Sequence, residues 1–78
     1  MSQKFDQELD CSGLSCPMPI LKTKKALDVM KSGQVLKMIA TDPGSVPDVN
    51  AYTAKTGHEL IGKEENTGTF TFYIKNLN

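Results

Sequence analysis

The sequence predicts a two-layer α/β (α+β) sandwich, in which two helices cover one face of a four-stranded mixed sheet. Three observations predict this fold. Two segments carry apolar residues at helical spacing, and a nearly continuous apolar run over residues 34–41 lies between them. A weakly alternating segment precedes the first helix. Two strand-like segments joined by a short loop end the chain, so the predicted order of elements is βαβαββ.

The first strand is predicted over residues 4–9. Phe5, Gln7 and Leu9 alternate with charged residues, and this pattern is typical of a strand with one dry face. The sequence SGLS then forms a loop, in which Gly13 is free to adopt a positive φ.

The first helix is predicted over residues 17–32. Pro17 suits the first helical position because its missing N–H would have no partner there, and Pro19 still lies in the first turn. Gly33 supplies the stop. The expected inner stripe consists of Ile20, Leu27 and Met30, widened by Leu21, Ala26 and Val29.

The second strand is predicted to be an interior strand, since its residues are almost all apolar. A strand, helix and strand connected in this way form a right-handed crossover, so the first two strands should be parallel. The face toward the core should carry Leu36, Met38 and Ala40, and the wetter face Val35, Lys37 and Ile39.

The second helix should begin at Ser45, after the turn sequence DPGS, and end at Gly57. Asp48 lies three residues after Ser45, which is the spacing of a capping box. The expected inner stripe consists of Val46, Val49 and Thr53.

A hairpin of residues 58–65 and 69–75, joined by a three-residue loop, should complete the sheet. His58 follows the glycine that ends the second helix and is expected at the surface. The last strand should present Phe70, Phe72 and Ile74 on its dry face, and Thr69, Thr71, Tyr73 and Lys75 on the other.

Length and charge restrict the function. The chain has 78 residues and is expected to form one domain, residues 1–78, with no room for an enclosed cofactor pocket; no cofactor is expected. Nine basic residues balance nine acidic ones, which argues against a general attraction to nucleic acid. No apolar run is long enough for a membrane span, and the polar N-terminus does not resemble a signal peptide, so a cytoplasmic location is expected.

Cys16 is the candidate reactive group. It precedes Pro17 at the predicted N-cap of the first helix, where the helix dipole favours an anion and lowers the pKa of a thiol. The prolines restrict the backbone, and Lys22, Lys24 and Lys25 add positive potential within two turns. The alternative is that Cys16 is a small buried apolar residue without chemistry.

Cys11 ends the first strand and is expected to pack in the core. A disulfide with Cys16 stays open at this point, because four residues separate the two thiols and geometry would decide. No metal site is expected, since two cysteines and a distant His58 do not supply the four ligands of a zinc site.

Two segments resemble the signature of the TusA/SirA-like sulfur-carrier family. Residues 9–27, LDCSGLSCPMPILKTKKAL, contain a strand ending in Leu-Asp, a Gly-Leu pair, and Cys-Pro-x-Pro opening a helix with lysines. Residues 40–60, ATDPGSVPDVNAYTAKTGHEL, resemble the Asp-Pro turn, second helix and Gly-His-Glu-Leu exit of that family. The resemblance implies a βαβαββ sandwich like the C-terminal domain of a bacterial translation initiation factor.

The resemblance also implies a chemistry, in which Cys16 accepts sulfane sulfur as a persulfide. The donor would be a cysteine desulfurase or a rhodanese, and the acceptor a TusD/DsrE-type protein. The sulfur would serve tRNA wobble-uridine 2-thiolation or dissimilatory sulfur oxidation. The supporting motif would be Pro17, Pro19, Gly13 and Leu14, and the docking residues for partners would be Met18, Lys22 and Lys25.

Some relatives carry a second cysteine after an aromatic residue near Tyr52; Thr53 follows Tyr52 here, so a relay through that cysteine is ruled out. Two other functions remain as alternatives. One is a regulatory or binding module that uses the outer sheet face around Val35, Ile39 and Tyr73, and the other is a thiol redox switch between Cys11 and Cys16. Direct binding to nucleic acid or to a membrane is not expected. The chain is expected to be a monomer that forms transient complexes with its partners.

Overall fold

A computed structural model describes residues 4–15 and 18–77 of the chain. Helices and strands follow one another in the predicted order βαβαββ. The strands are β1 (Gln7–Cys11), β2 (Val35–Ala40), β3 (Glu59–Asn66) and β4 (Thr69–Lys75), and the helices are α1 (Met18–Asp28) and α2 (Ser45–Thr56).

The four strands form one mixed sheet in the order β1-β2-β4-β3. β1 pairs with β2 in parallel, with Cys11 opposite Ala40, whereas β4 is antiparallel to both β2 and β3. α1 packs against β1 and β2, and α2 against β3 and β4. The predicted fold class is confirmed, and so is the parallel pairing of the first two strands.

The core lies between the two helices and the face of the sheet that they cover. Every second side chain of β2 and β4 points into it, because side chains alternate between the two faces of a strand. The buried apolar side chains are Cys11, Leu27, Met30, Leu36, Met38, Ala40, Val49, Phe70, Phe72 and Ile74. The predicted inner faces of the second and last strands are therefore confirmed.

The first strand begins at Gln7 and not at residue 4, and it continues to Cys11. The predicted dry face is wrong for Phe5 and Gln7, which are exposed; the residues that pack on the core are Leu9 and Cys11. Before β1, the backbone N–H of Asp6 donates to the Val35 carbonyl, while the Asp6 carboxylate accepts from the Val35 N–H, both at 2.8 Å. Before β1, the carboxylate of Asp6 thus takes the place of a backbone carbonyl as the acceptor for the Val35 N–H.

The buried face of α1 is centred on a polar residue, Thr23, and not on the predicted apolar stripe alone. The side chains that α1 buries are Pro19, Thr23 and Leu27. Thr23 tolerates burial because its hydroxyl donates to the Pro19 carbonyl at 2.7 Å. With this face inward, Leu21 and Val29 are 48% and 84% exposed, so their assignment to the inner stripe is wrong.

The second helix begins at Ser45 as predicted, but the capping box is wrong. Gly44 is the N-cap and makes no side-chain cap, while Ser45 turns inward, where its Oγ has no hydrogen-bond partner among the described residues. The Asp42 carboxylate accepts from the Gly44 N–H at 3.1 Å instead. Gly57 ends the helix as predicted, with a φ of 85° and its N–H donating to the Thr53 carbonyl.

The hairpin between β3 and β4 is tighter than predicted. Asn66 pairs with Thr69, so the loop contains two residues and not three. Thr67 and Gly68 have φ values of 49° and 81°, and two positive φ values in succession characterise a type I′ turn.

Two polar-tipped rings are more deeply buried than the sequence predicts. Tyr73 faces away from the helices, as expected, but has no exposed surface, and its hydroxyl lies 3.5 Å from the Glu64 carboxylate. The prediction of a surface position for His58 is wrong: it is buried, and its Nδ1 accepts from the Leu77 N–H at 3.2 Å. Both rings are buried although neither belongs to the apolar core cluster between the helices and the sheet.

Asn76, which follows β4, forms hydrogen bonds that connect the end of α1 to the sheet. Its buried side-chain amide donates to the carbonyls of Leu27, at 3.1 Å, and Met30, at 2.8 Å. Its backbone carbonyl accepts from the Gly33 N–H at 2.6 Å, and its N–H donates to the Gln34 carbonyl at 2.8 Å. The two side-chain bonds supply donors to carbonyls at and just beyond the end of α1, where intrahelical partners run out. The two backbone bonds join the connection between α1 and β2 to the end of β4.

Replacing Asn76 with Ala should lower the free energy of unfolding by about 1–3 kcal/mol, because buried carbonyls at the end of α1 lose their donor. Urea denaturation followed by circular dichroism measures this change. The matched control is Asn66→Ala, since Asn66 is exposed at the hairpin. Equal urea midpoints for the two variants would contradict the role assigned to Asn76.

Candidate functional site

The predicted reactive thiol and its neighbour, Cys16 and Pro17, lie outside the described residues. The residues on either side of them are described. The N–H of Met18, where α1 begins, donates to the Ser15 carbonyl at 3.0 Å. A backbone hydrogen bond therefore joins the two described residues that flank the Cys16–Pro17 pair in the sequence.

Residues 11–14 form a tight turn between β1 and this pair, which we call the β1–α1 turn. The N–H of Leu14 donates to the Cys11 carbonyl at 3.1 Å. Gly13 has a φ of 80°, as the third residue of a type II turn requires, so the prediction of a positive φ at Gly13 is confirmed. A β-branched or bulky residue at this position would be strained.

Two side chains hold the β1–α1 turn from outside it. The Asp10 carboxylate accepts from the backbone N–H of Ser12 at 2.9 Å. The hydroxyl of Thr41, which follows β2, accepts from the N–H of Gly13, also at 2.9 Å. Hydrogen bonds from the Ser12 side chain and backbone hold the pKa of the Asp10 carboxyl below its usual value, so Asp10 stays ionised near neutral pH.

Cys11 is buried in the core with no exposed surface, which agrees with the packing role predicted for it. Burial raises the pKa of the Cys11 thiol, the positive charge of Lys22 lowers it, and the negative charge of Asp10 raises it further. A thiol that is buried and kept neutral is a poor nucleophile, because the thiolate is the reactive form.

Pro19 and Leu14, two residues of the predicted motif, contribute through packing. Pro19 is buried under the first turn of α1, and its carbonyl receives the Thr23 hydroxyl. Leu14 is partly buried against the core cluster. Both residues therefore fix the position of the backbone on the two sides of the Cys16–Pro17 pair.

The outer side of α1 forms an open groove of about 290 Å³, which we call the α1 groove. The residues that line it are Met18, Leu21, Lys22, Lys24 and Lys25. Met18 is 42% exposed, so the groove includes accessible apolar surface next to the start of the helix. The predicted docking residues Met18, Lys22 and Lys25 thus share one surface.

The three lysines of the α1 groove differ in their neighbours. Lys24 lies 3.7 Å from the carboxylate of Asp28, one turn further along α1. Neither Lys22 nor Lys25 forms an ion pair with any described residue. Two uncompensated positive charges therefore remain beside the apolar side chains.

Sequence patterns did not reveal every residue of this region. Leu21 was assigned to the core, yet it lines the α1 groove. Thr41 lies in the quoted segment of residues 40–60, but no sequence pattern indicates its contact with Gly13, because that contact depends on the register of β1 against β2. In residues 4–15 and 18–77, no three His, Cys, Asp or Glu side chains come together as a metal site would require. Within the same residues, no helix is long and apolar enough to span a membrane.

A solved structure of similar fold is the crystal structure of a SirA-like protein from Desulfitobacterium hafniense. It superposes with a TM-score of 0.80 and covers 94% of this chain and all of that one. At 21% sequence identity, this likeness shows the fold alone.

Sequence comparisons give closer relationships. A sulfur carrier protein TusA from Allochromatium vinosum is 61% identical over 71 residues, covering 91% of this chain and 93% of that one. A sulfur carrier protein TusA from Pseudomonas entomophila is 40% identical and covers 90% of this chain and 88% of that one. The family model described as sulfurtransferase TusA matches residues 7–76. The chain therefore belongs to the TusA sulfurtransferase family and has the general role of a sulfur carrier.

Proposed function

We propose that the chain carries sulfane sulfur as a persulfide on Cys16 and passes it to a partner protein. One observation carries the choice of cysteine. The chain has two cysteines, and Cys11 is buried with a raised pKa, so it is unsuited to attack another protein's sulfur. Cys16 is the remaining thiol of a sulfur-carrier chain, and it lies within the matched residues 7–76.

The proposed transfer is a thiol–disulfide type of exchange. The Cys16 thiolate attacks the outer sulfur of a persulfide on the donor protein, a new S–S bond forms, and the donor's own sulfur leaves as a thiolate. One S–S bond replaces another, so the step needs no external oxidant or reductant. The proposed donor is a cysteine desulfurase or a rhodanese, as the family resemblance implies.

Reactivity of Cys16 follows from its position in the chain. It lies two residues before Met18, where α1 begins, and the start of a helix favours an anion. Lys22 adds a positive charge, and its effect on the pKa of Cys11 indicates that this charge reaches the β1–α1 turn. Both effects lower the pKa of a thiol and raise its thiolate fraction. The same two effects favour the anionic persulfide.

The α1 groove is the proposed docking surface for donor and acceptor. Met18 and Leu21 offer apolar contact area, and methionine repacks easily against different partners. Lys22 and Lys25 favour a partner that presents carboxylates around an apolar side chain. A TusD/DsrE-type protein is the proposed acceptor, and the carrier is proposed to act in the cytoplasm as a monomer that binds each partner transiently.

The proposed destination of the sulfur is tRNA wobble-uridine 2-thiolation or dissimilatory sulfur oxidation. The two routes differ in the acceptor. Adding loaded protein to purified acceptors of each route, and following the loss of sulfur from Cys16, distinguishes them: the physiological acceptor removes it rapidly, and the other does not.

The geometry of the described residues does not favour the two alternative functions. A redox switch needs an oxidant or reductant to reach the Cys11 sulfur, and Cys11 is a free thiol with no exposed surface. A binding module on the outer sheet face would use Val35, Ile39 and Tyr73. Val35 and Ile39 are half-buried, and Tyr73 has no exposed surface to offer a partner.

Incubation with a cysteine desulfurase and cysteine should add one sulfur atom to the intact chain, and Cys16→Ser should abolish the addition. The matched control, Cys11→Ala, should keep it, because Cys11 packs in the core and does not react. Intact-mass spectrometry under non-reducing conditions measures both. A wild-type chain that is folded but gains no sulfur from any donor would contradict the proposal. So would a result in which Cys11→Ala loses sulfur loading while Cys16→Ser keeps it.

Reversing the two uncompensated charges of the α1 groove, Lys22→Glu with Lys25→Glu, should slow sulfur acceptance from the donor about tenfold at low ionic strength. The difference from wild type should shrink as salt is added, because salt screens exposed charges. Mass spectrometry of samples quenched at successive times measures the rates of sulfur acceptance.

The matched control for this double variant is Lys4→Glu with Lys63→Glu. Both lysines are exposed, and they lie before β1 and on the edge strand β3, away from the groove. The control makes the same change in net charge. Equal slowing by both double variants would show that overall charge, and not the α1 groove, sets the rate.

A further inference from the structure

Thr41 lies outside α1 and is not one of the predicted motif residues around Cys16. Its hydroxyl nevertheless contacts Gly13, in the part of the chain that leads to Cys16. We infer that Thr41 is a positioning residue for sulfur transfer, which acts by holding the β1–α1 turn in one conformation. This inference rests on the proposed function of Cys16 and extends it to a residue of the neighbouring strand connection.

The sheet register brings Thr41 to the turn. β1 and β2 are parallel, and Cys11 pairs with Ala40, so both strands leave the sheet at the same edge. The residue after Ala40 is Thr41, and its Oγ1 accepts the N–H of Gly13 at 2.9 Å. This bond joins two connections that are 28 residues apart in sequence.

Two other acceptors near the Gly13 N–H have donors of their own. The Asp10 carboxylate already accepts from the Ser12 N–H, and the Cys11 carbonyl already accepts from the Leu14 N–H. The Gly13 N–H instead donates across the connection to the Thr41 hydroxyl, at 2.9 Å. Thr41 is the link between the turn and β2.

The bond acts on the chain that enters the Cys16–Pro17 pair. The β1–α1 turn precedes that pair in the sequence, and the N–H of Met18, which follows the pair, donates to the carbonyl of Ser15, which precedes it. Thr41 therefore fixes the entry side, while α1 fixes the exit side. Because Thr41 is exposed, its contribution is the hydrogen bond and not buried surface, so it can be removed without opening the core.

The test compares Thr41→Val, which keeps the shape of the side chain without an acceptor, with Thr41→Ser, which keeps the hydroxyl. Thr41→Val should lower both the alkylation rate of Cys16 by iodoacetamide and the rate of sulfur loading by about two- to tenfold, the range that corresponds to one net hydrogen bond. The Gly13 amide should lose its protection from hydrogen exchange in NMR spectra. Thr41→Ser should restore all three.

The matched control is Thr56→Val, at the opposite end of α2. Its hydroxyl donates to the Tyr52 carbonyl, so the variant also loses a threonine hydroxyl bond, and it should leave the Gly13 amide and Cys16 unchanged. The inference is overturned if Cys16 in Thr41→Val is alkylated at the wild-type rate. This includes the case in which only the rate of sulfur loading falls, which would indicate that Thr41 contacts the donor protein. If the wild type accepts no sulfur, the proposed function fails, while alkylation and the Gly13 amide still decide the role of Thr41.

Discussion

The parallel pairing of β1 with β2 is the constraint on which the rest of the structure depends. Because these strands run in the same direction, both reach the same edge of the sheet at Cys11 and Ala40. The connections that follow them therefore lie side by side, and the hydroxyl of Thr41 can meet the N–H of Gly13. An antiparallel arrangement would send these connections to opposite edges, and the β1–α1 turn would lose its external support.

The two cysteines are assigned opposite roles, although only four residues separate them in sequence. Cys11 completes the core and remains a neutral thiol because burial opposes its ionisation. Cys16 follows, in the sequence, a turn that Asp10 of β1 and Thr41 after β2 hold in place, and it precedes a helix whose outer side is basic and apolar. A chain of this size cannot enclose a substrate, so presenting one thiol beside a docking surface is a function that its fold can support.

Sequence patterns predict most of this fold because β2 and β4 turn alternate apolar residues toward the core. They fail where polar groups replace regular packing: Asp6 takes over strand pairing before β1, and Thr23 occupies the buried face of α1 because its hydroxyl is satisfied by Pro19. Gly13 could be predicted as a turn residue, since a positive φ favours glycine. Thr41 could not, because its contact depends on a strand register that single-sequence patterns do not encode.

The central claim is that the start of α1 makes Cys16 ionise more readily than an ordinary thiol. The most direct measurement is the alkylation rate of Cys16 as a function of pH, followed on the peptide that contains it, in the native chain and in urea. The account predicts a native midpoint clearly below the value of about 8.5 for a free cysteine, and a return to that value in urea. A native midpoint equal to or above the midpoint in urea would contradict it.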